Sequence, residues 1–422
     1  MTRPRQQQYD AVIVGGRVAG AAAALLLARR GHRVLVLDRE PRGVDTLSTH
    51  ALMRPAVLQL KRWGLLDAVV AAGTPPVHRV TFHYGDDPLP IDVAEPLYAP
   101  RRTVLDPIIV AAAEEAGAQF RFGTRVDDLI RDSDGRVVGV RGRTRDGETF
   151  AVTARTTIGA DGRNSLIARL VDAPITRAAS ATAAVLYSYW SGIETSGYEW
   201  CYNLGTTAGL IATNHDEVCV WVSAPPARFH SELRADRVAA LSRLLAETTA
   251  DVAARVAVGH RVGPVRGFPG IASQMRRPWG PGWALVGDAG YHKDALTAHG
   301  ISDALRDAEL LARALDAVFS GTAPEDAALR QYERTRDELS ITFFDATDRI
   351  ASYDWDLQQV QQLHIAITKV MQHEAHVMSA WNGAFTAPRR PPDAHANGRG
   401  RPGRGTDSAA PGHHAAVGGS VR

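Results

Sequence analysis

Cysteine is nearly missing from this chain: Cys201 and Cys219 are the only two among 422 residues, 18 positions apart and outside any C-x-x-C pair. That scarcity excludes a disulfide-stapled scaffold and a thiolate metal centre, and it fits buried free thiols in a reducing compartment. Charge of one sign is also lacking. With 48 Lys plus Arg against 46 Asp plus Glu, the formal charge of +2 is too small to make nucleic acid or an anionic membrane the main partner. No apolar run reaches the ~20 residues that span a bilayer; the longest, Val18 to Ala28, stops at Arg29. Arg3 and Arg5 ahead of apolar residues imitate a signal peptide, but Asp10 and Arg17 interrupt the run. A histidine metal motif is missing as well, because His373 and His376 in MQHEAH stand at i and i+3 and read as a helix face. No metal is expected. These absences leave a cytoplasmic protein without integral membrane association, long enough at 45% hydrophobic residues to bury a large core in two interleaved domains.

The positive signal is carried by glycines. Near the start, AVIVGGRVAGAAAALLLARRGHRVLVLDRE reads as strand, turn, alanine-rich helix and second strand. An apolar run Ala11 to Val14 precedes Gly15, Gly16 and Gly20, and a strand Val34 to Leu37 closes on Asp38. A strand entering a helix through glycines brings backbone N–H groups close to a pyrophosphate, and the helix N-terminus adds partial positive charge. Gly15 makes the turn, Gly20 lets the helix pack on the strand, and Asp38, 23 positions after Gly15, is spaced to accept from ribose hydroxyls. Arg17, Val18 and Ala19 complete the turn, and Arg39 follows the acid. Arg17 occupies the place of the middle glycine in G-x-G-x-x-G, so its guanidinium either turns away from the phosphates or faces them. The unit is expected to hold an ADP-bearing cofactor. Two further segments follow it in order, TTIGADGRNS around Asp161 and WALVGDAGYHKDALTAHGISDAL around Asp288.

Together the three segments resemble the class A flavoprotein monooxygenases, the fold family of para-hydroxybenzoate hydroxylase, to which geranylgeranyl reductases and flavin-dependent halogenases are related. The resemblance runs from about residue 8 to about residue 320. It implies an α/β fold: a Rossmann-like, glutathione-reductase-like FAD-binding domain interleaved with a mainly β substrate domain, then C-terminal helices. It also implies FAD as cofactor and NAD(P)H as co-substrate, the nicotinamide nucleotide binding without a Rossmann unit of its own. By the same resemblance, Asp161 and Gly162 lie by the phosphates, while Gly287 and Asp288 serve the ribityl chain. Gly300 and Ile301 bring N–H groups to the flavin pyrimidine carbonyl, Val126 offers its backbone to the adenine, and Arg54 and Arg102 reach pyrophosphate or flavin oxygens.

Residues 8–75, 101–172 and 281–323 are assigned to the FAD-binding domain, and 76–100 with 173–280 to the substrate domain. A helical region follows at 324–386, and 387–422, rich in Gly, Pro and Arg, is expected to be disordered. Aromatic residues crowd the substrate strands: Tyr187, Tyr189, Trp190, Tyr198, Trp200, Tyr202 and Trp221. On a strand Tyr187 and Tyr189 share a face while Trp190 points away. Such a face suits a hydrophobic or aromatic small-molecule substrate.

The implied reaction is reduction of FAD by NAD(P)H, addition of O2 to give a flavin C4a-hydroperoxide, and hydroxylation or epoxidation of that substrate in secondary metabolism. No protein nucleophile is required; His50 is the candidate proton shuttle, and His292 and His299 flank the flavin loop. The loop departs from the hydroxylase run P-x-x-G-x-G, with Ala295 for the proline, Ala298 for the first glycine and only Gly300 retained. That departure keeps open a reductase of the geranylgeranyl type, which saturates a C=C bond. The halogenase signature W-x-W-x-I-P is absent, the nearest stretches being YEWCYN and VCVWVSAP. A monomer or homodimer is expected.

Overall fold

The strands Tyr9–Val14 and Val34–Leu37 are buried at every position but Asp10. Such near-continuous apolar strands belong to a parallel sheet covered on both faces. In the computed structural model, which describes residues 9–381 and 383–387, that is their place. Trp283–Leu285, Thr149–Gly159, Tyr9–Val14, Val34–Leu37 and Gln119–Arg121 pair in parallel in that order, and Trp279–Gly280 adds an antiparallel edge. Thr149–Gly159 also starts an antiparallel meander through Val137–Thr144 to Thr124–Arg131.

The helix Val18–Arg29 is apolar all round, and it is buried from Gly20 to Ala28 between the sheet and the helices Arg102–Glu115 and Gly300–Phe319. Two glycines make that packing possible. Gly15 has φ +104°, and a Cβ there would stand 2.4 Å from the Ala160 carbonyl oxygen; a Cβ on Gly20 would stand 1.9 Å from that of Gly15. Helix and turn therefore touch backbone to backbone.

A second sheet of seven strands runs His260–Phe268, Ala184–Ser191, Glu217–Ala224, Thr206–Ala212, Tyr198–Asn203, Val77–Tyr84 and Asp87–Leu97. The early pair 77–97 thus lies beside strands from the middle of the chain, joined through the parallel pairing of Val77–Tyr84 with Tyr198–Asn203. Tyr187, Tyr189, Tyr198, Trp200, Tyr202 and Trp221 bury themselves on the face toward the first sheet's core, while Trp190 packs opposite with Leu241, Leu244 and Leu245 of the helix Arg237–Thr248. Period-two alternation accounts for that division. Both cysteines are free and buried, and burial pushes the Cys219 thiol up to about 12. A small third sheet joins Tyr291–His292, Gln274–Arg276 and Ile175–Ala178.

Two long helices follow, Glu325–Ala351 and Leu357–Ser379. The second starts in a capping box, with Asp356 accepting from the Gln359 N–H at 2.7 Å and the Gln359 side chain accepting from the Asp356 N–H at 2.9 Å. It buries Val360, His364, Ile367, Glu374 and Met378 against the rest. Of the tail 387–422 expected to be disordered, all but residue 387 lies outside the described residues. The sheets and helices match the α/β class with a mainly β second layer and C-terminal helices.

Candidate cofactor-binding site

At the carboxyl ends of the parallel strands opens a cleft of about 650 Å³. Gly15, Arg17, Val18 and Ala19 line its floor where the first strand becomes a helix, and Asp38 and Arg39 line it where the second strand ends. Asp38 is oriented by its own neighbourhood: Oδ2 accepts from the Gly16 N–H at 2.7 Å and Oδ1 from the Glu40 N–H at 2.8 Å. Arg17 lines the cleft, and its Nη1 is buried with no protein partner.

Chain segments far apart complete the walls. Val126, Asp161, Gly162, Asp288, Gly300, Ile301 and Arg102 all line the same cleft. Asp161 also braces the local backbone, since its oxygens accept from the Ser165 hydroxyl at 2.5 Å and from the Leu166 N–H at 2.6 Å and so fasten the start of the short helix Leu166–Leu170. Burial raises its carboxyl, against the pull of those hydrogen bonds. Arg102 is held in a fork on Asp106, with Nε at 2.7 Å and Nη2 at 2.9 Å. Gly20 and Gly287 stand behind the wall; a Cβ on Gly287 would reach within 2.8 Å of the Ala19 Cβ. Arg54 is different. It begins the helix Arg54–Arg62 in an exposed position and is not among the residues that line the cleft.

The loop carrying the two sequence departures keeps a glycine-like backbone. Ala298 adopts φ +47°, ψ +33°, left-handed as a glycine would be, at the end of the short turn Ala295–Thr297. Asp294 caps that turn by accepting from the Leu296 N–H at 3.1 Å, and it also accepts from the Ala183 N–H at 2.8 Å. The missing proline and glycine are thus replaced by a side-chain cap and a strained alanine.

His50 lies where the cleft meets the aromatic sheet. It is buried, it has φ +68°, its Nε2 is hydrogen-bonded to the Tyr189 hydroxyl, and its Nδ1 has no partner. Burial, then the charges of Arg101, Arg102 and Arg266, hold its pKa well below the ordinary histidine value. It is therefore a neutral imidazole. Arg101 stacks its guanidinium 3.5 Å from the centre of the Tyr189 ring, and the Ser48 N–H donates to the Tyr187 hydroxyl at 3.3 Å. Sequence reasoning found His50 but not Tyr189 as its partner, since the two stand 139 positions apart.

A further cluster was beyond sequence reasoning. Beneath the loop, Lys293 pairs with Asp303, Arg306 with Asp303, Asp307 and Glu374, and His299 with Glu374, all of them buried. Glu374 comes from the last long helix, and only the fold brings it here. Lys293 and Arg306 already compensate the carboxylates of Asp303 and Glu374, which makes the cluster an ionic clamp rather than a vacant cation site.

The groups of the cleft suit FAD. The glycine turn keeps side chains out of the helix mouth, Arg17 with its unpartnered Nη1 is suited to a pyrophosphate, and Asp38 presents a fixed carboxylate to a ribose. The sequence model of the FAD-binding domain family matches residues 8–347. The chain belongs to that family. Curated relatives of this FAD-binding protein include FixC of Escherichia coli K12, 34% identical over 177 residues, a match spanning 38% of each chain. They also include the menaquinone reductase of Mycolicibacterium smegmatis, 28% identical over 337 residues, spanning 72% of this chain and 75% of the relative. The chain thus spans less than two fifths of the length of FixC. Among solved structures, the flavin-dependent brominase Bmp2 superposes with a TM-score of 0.76 at 20% identity, over 90% of this chain and 97% of the other. PqsL of Pseudomonas aeruginosa gives 0.73 at 22% identity, over 85% and 100%. Aklavinone-11 hydroxylase in complex with FAD and aklavinone gives 0.67 at 21% identity, over 83% and 70%. At these identities the likeness establishes the fold, that of the class A FAD-dependent monooxygenases.

Proposed function

We propose that this FAD-dependent oxidoreductase is a monooxygenase that uses NAD(P)H and O2 to hydroxylate or epoxidise a hydrophobic or aromatic small molecule in secondary metabolism, acting in the cytoplasm as a monomer or homodimer. The observation that carries the reading is the contact of His50 with Tyr189, which joins the cofactor cleft to the aromatic face of the seven-stranded sheet. When bound, FAD supplies the electron-transfer and oxygen chemistry. The chain's own residues bind and orient. Arg17 and the glycine turn hold the pyrophosphate, and Asp38 holds the adenosine ribose. Tyr187, Tyr189, Trp200 and Trp221, buried together on one face of the sheet, would give a flat or greasy substrate apolar surroundings. His50, kept neutral, would meet a substrate hydroxyl through a hydrogen bond at Nδ1.

One observation favours a second reading. The similarity to a menaquinone reductase spans nearly three quarters of both chains, and the loop departs from the hydroxylase pattern at Ala295 and Ala298, so a reductase that saturates a C=C bond is the alternative. Mass spectrometry of products separates them. Purified protein with NAD(P)H in air is offered phenols, indoles, polyketides and isoprenoid quinones. A product heavier by one oxygen atom supports the monooxygenase; one heavier by two hydrogens moves the assignment to the reductase, and a product bearing halogen contradicts both.

A further inference from the structure

The two faces of the seven-stranded sheet are both buried but filled differently. One is largely aliphatic, with Leu186, Leu210, Val220 and Val222 packed on Leu241 and Leu244. The other carries tyrosine and tryptophan from the strand Ala184–Ser191 across to the strand Val77–Tyr84. Aliphatic side chains satisfy the first face, so packing alone does not call for oxidisable rings on the second.

Those rings form a continuous series. Tyr189 and Tyr187 meet edge to face with centroids 6.1 Å apart. Tyr187 is the cross-strand partner of Trp221, which sets their Cβ atoms about 5 Å apart. The next residue on that rung is Gly209, where a Cβ would stand 2.5 Å from Trp221 Nε1. The missing side chain leaves room for the indole to reach Trp200, centroids 5.6 Å apart. Trp200 and Tyr202 stand two apart on one strand and share its face, and Tyr202 stacks on Tyr84 at 5.9 Å.

Each end of the series is a tyrosine hydrogen-bonded to a buried imidazole. At the inner end the Tyr189 hydroxyl meets Nε2 of His50, which lines the cleft; at the outer end the hydroxyl of half-buried Tyr84 meets Nδ1 of His364 at 2.9 Å. The far nitrogen of each imidazole is buried without a partner, so the arrangement that strands fewest polar groups has the phenol donate. Burial keeps both rings neutral, with the His364 pKa lowered to about 3. A phenol that loses an electron becomes a strong acid, and its oxidation needs a proton acceptor within hydrogen-bond reach. Arg101, stacked 3.5 Å from the centre of the Tyr189 ring, makes positive charge there costly and favours its passage outward.

We propose that this aromatic series is a one-electron relay, which carries oxidising equivalents from the cleft to the surface at Tyr84 and so protects the site from oxidants formed there. A one-electron oxidant in the cleft, either photoexcited flavin or an oxygen-centred radical, takes an electron from Tyr189, and the phenolic proton passes to His50 Nε2. An electron from Tyr187 refills Tyr189, the proton returns from His50, and the vacancy moves through Trp221, Trp200 and Tyr202 to Tyr84. There the proton passes to His364 Nδ1. A soluble reductant such as ascorbate returns the electron to Tyr84, and the proton comes back from His364. The oxidant gains one electron, the reductant loses one, and the protein ends unchanged. The inference rests on the FAD reading of the cleft.

The test illuminates FAD-loaded protein with blue light under argon, so that photoexcited flavin is the oxidant, in the presence of a nitroso spin trap. Adducts are mapped by peptide mass spectrometry in the wild type, Trp221→Phe and Tyr187→Phe, with circular dichroism and FAD titration to check folding and loading. The wild type is expected to carry an adduct at Tyr84. Both variants replace a relay ring by one that is hard to oxidise, and both are expected to lose that adduct. A ruthenium photo-oxidant in solution should label Tyr84 equally in all three proteins, since it needs no relay. Absence of the Tyr84 adduct from the illuminated, FAD-loaded wild type overturns the proposal and needs no variant to fold. An adduct that survives either substitution overturns it as well, because Tyr84 is then oxidised without the series. A wild type that takes up no FAD overturns the reading of the cleft itself, and the titration shows this before illumination, so the two failures are distinguishable.

Discussion

At the Gly15–Gly20 end, the cleft is walled by backbone, small residues and one carboxylate held by two amides; at the Lys293–His299 end, it rests on six buried ionisable side chains, Lys293, His299, Asp303, Arg306, Asp307 and Glu374. The first end is made within thirty residues of sequence, and close approach is its whole requirement. The second is assembled from a loop and two helices, and its stability depends on every charge keeping its partner. Loss of shape should therefore be fatal at the first end, and loss of charge balance costly at the second.

The largest effect is expected from Gly20→Val. Any Cβ there meets the Gly15 carbonyl oxygen at 1.9 Å, so the helix has to leave the strand, and both FAD binding and cooperative unfolding near the wild-type temperature should be lost. A flavin-loaded Gly20→Val protein of normal melting temperature would refute the close-contact account. Next comes Arg306→Met, which strands Asp303, Asp307 and Glu374 without their shared cation. Destabilisation by about 3–5 kcal/mol in urea unfolding is expected. Burial already raises the Asp307 carboxyl to about 6 despite Arg306, so the strain of removing this cation should ease as pH falls.

A smaller effect concerns His364, which faces the aromatic sheet with Nδ1 2.9 Å from the Tyr84 hydroxyl. Burial lowers its pKa from 6.5 to about 3. A depressed folded-state pKa gives stability that is complete above 6.5 and is lost as pH falls toward 3. Acidification to about pH 5 should thus cost the wild type about 2 kcal/mol through this residue. Thermal melts of His364→Gln should fall less steeply over that range, and parallel curves for the two proteins would contradict the burial argument. Least is expected of Ala298→Gly. Releasing a left-handed alanine gains about 1–2 kcal/mol, and the more flexible unfolded glycine takes back roughly half of it. A slight rise in melting temperature is the expected result.

The same contrast explains what could be read from the chain. Strand, turn and helix over 11–37 follow from apolar runs and glycine spacing, because close packing leaves its mark in residue type at fixed intervals. Tyr187, Tyr189 and Trp190 took their faces by alternation alone. Arg54 shows the limit from the other side: the resemblance implied a contact with pyrophosphate or flavin oxygens, yet Arg54 begins its helix exposed and outside the residues that line the cleft. Glu374 carried no local sign at all. MQHEAH read only as a helix face, and only the packing of Leu357–Ser379 against the loop gives Glu374 a partner 75 positions away. Ala298 was visible as a departure, but its left-handed backbone was not, since residue type alone points the other way.

Titration of the purified, flavin-free wild-type chain with FAD tests the central claim most directly. Saturation at one FAD per chain, with the absorption and quenched fluorescence of bound flavin, is the predicted result. A chain that shows no saturable binding, while melting cooperatively and thus folded, would contradict the account of this cleft.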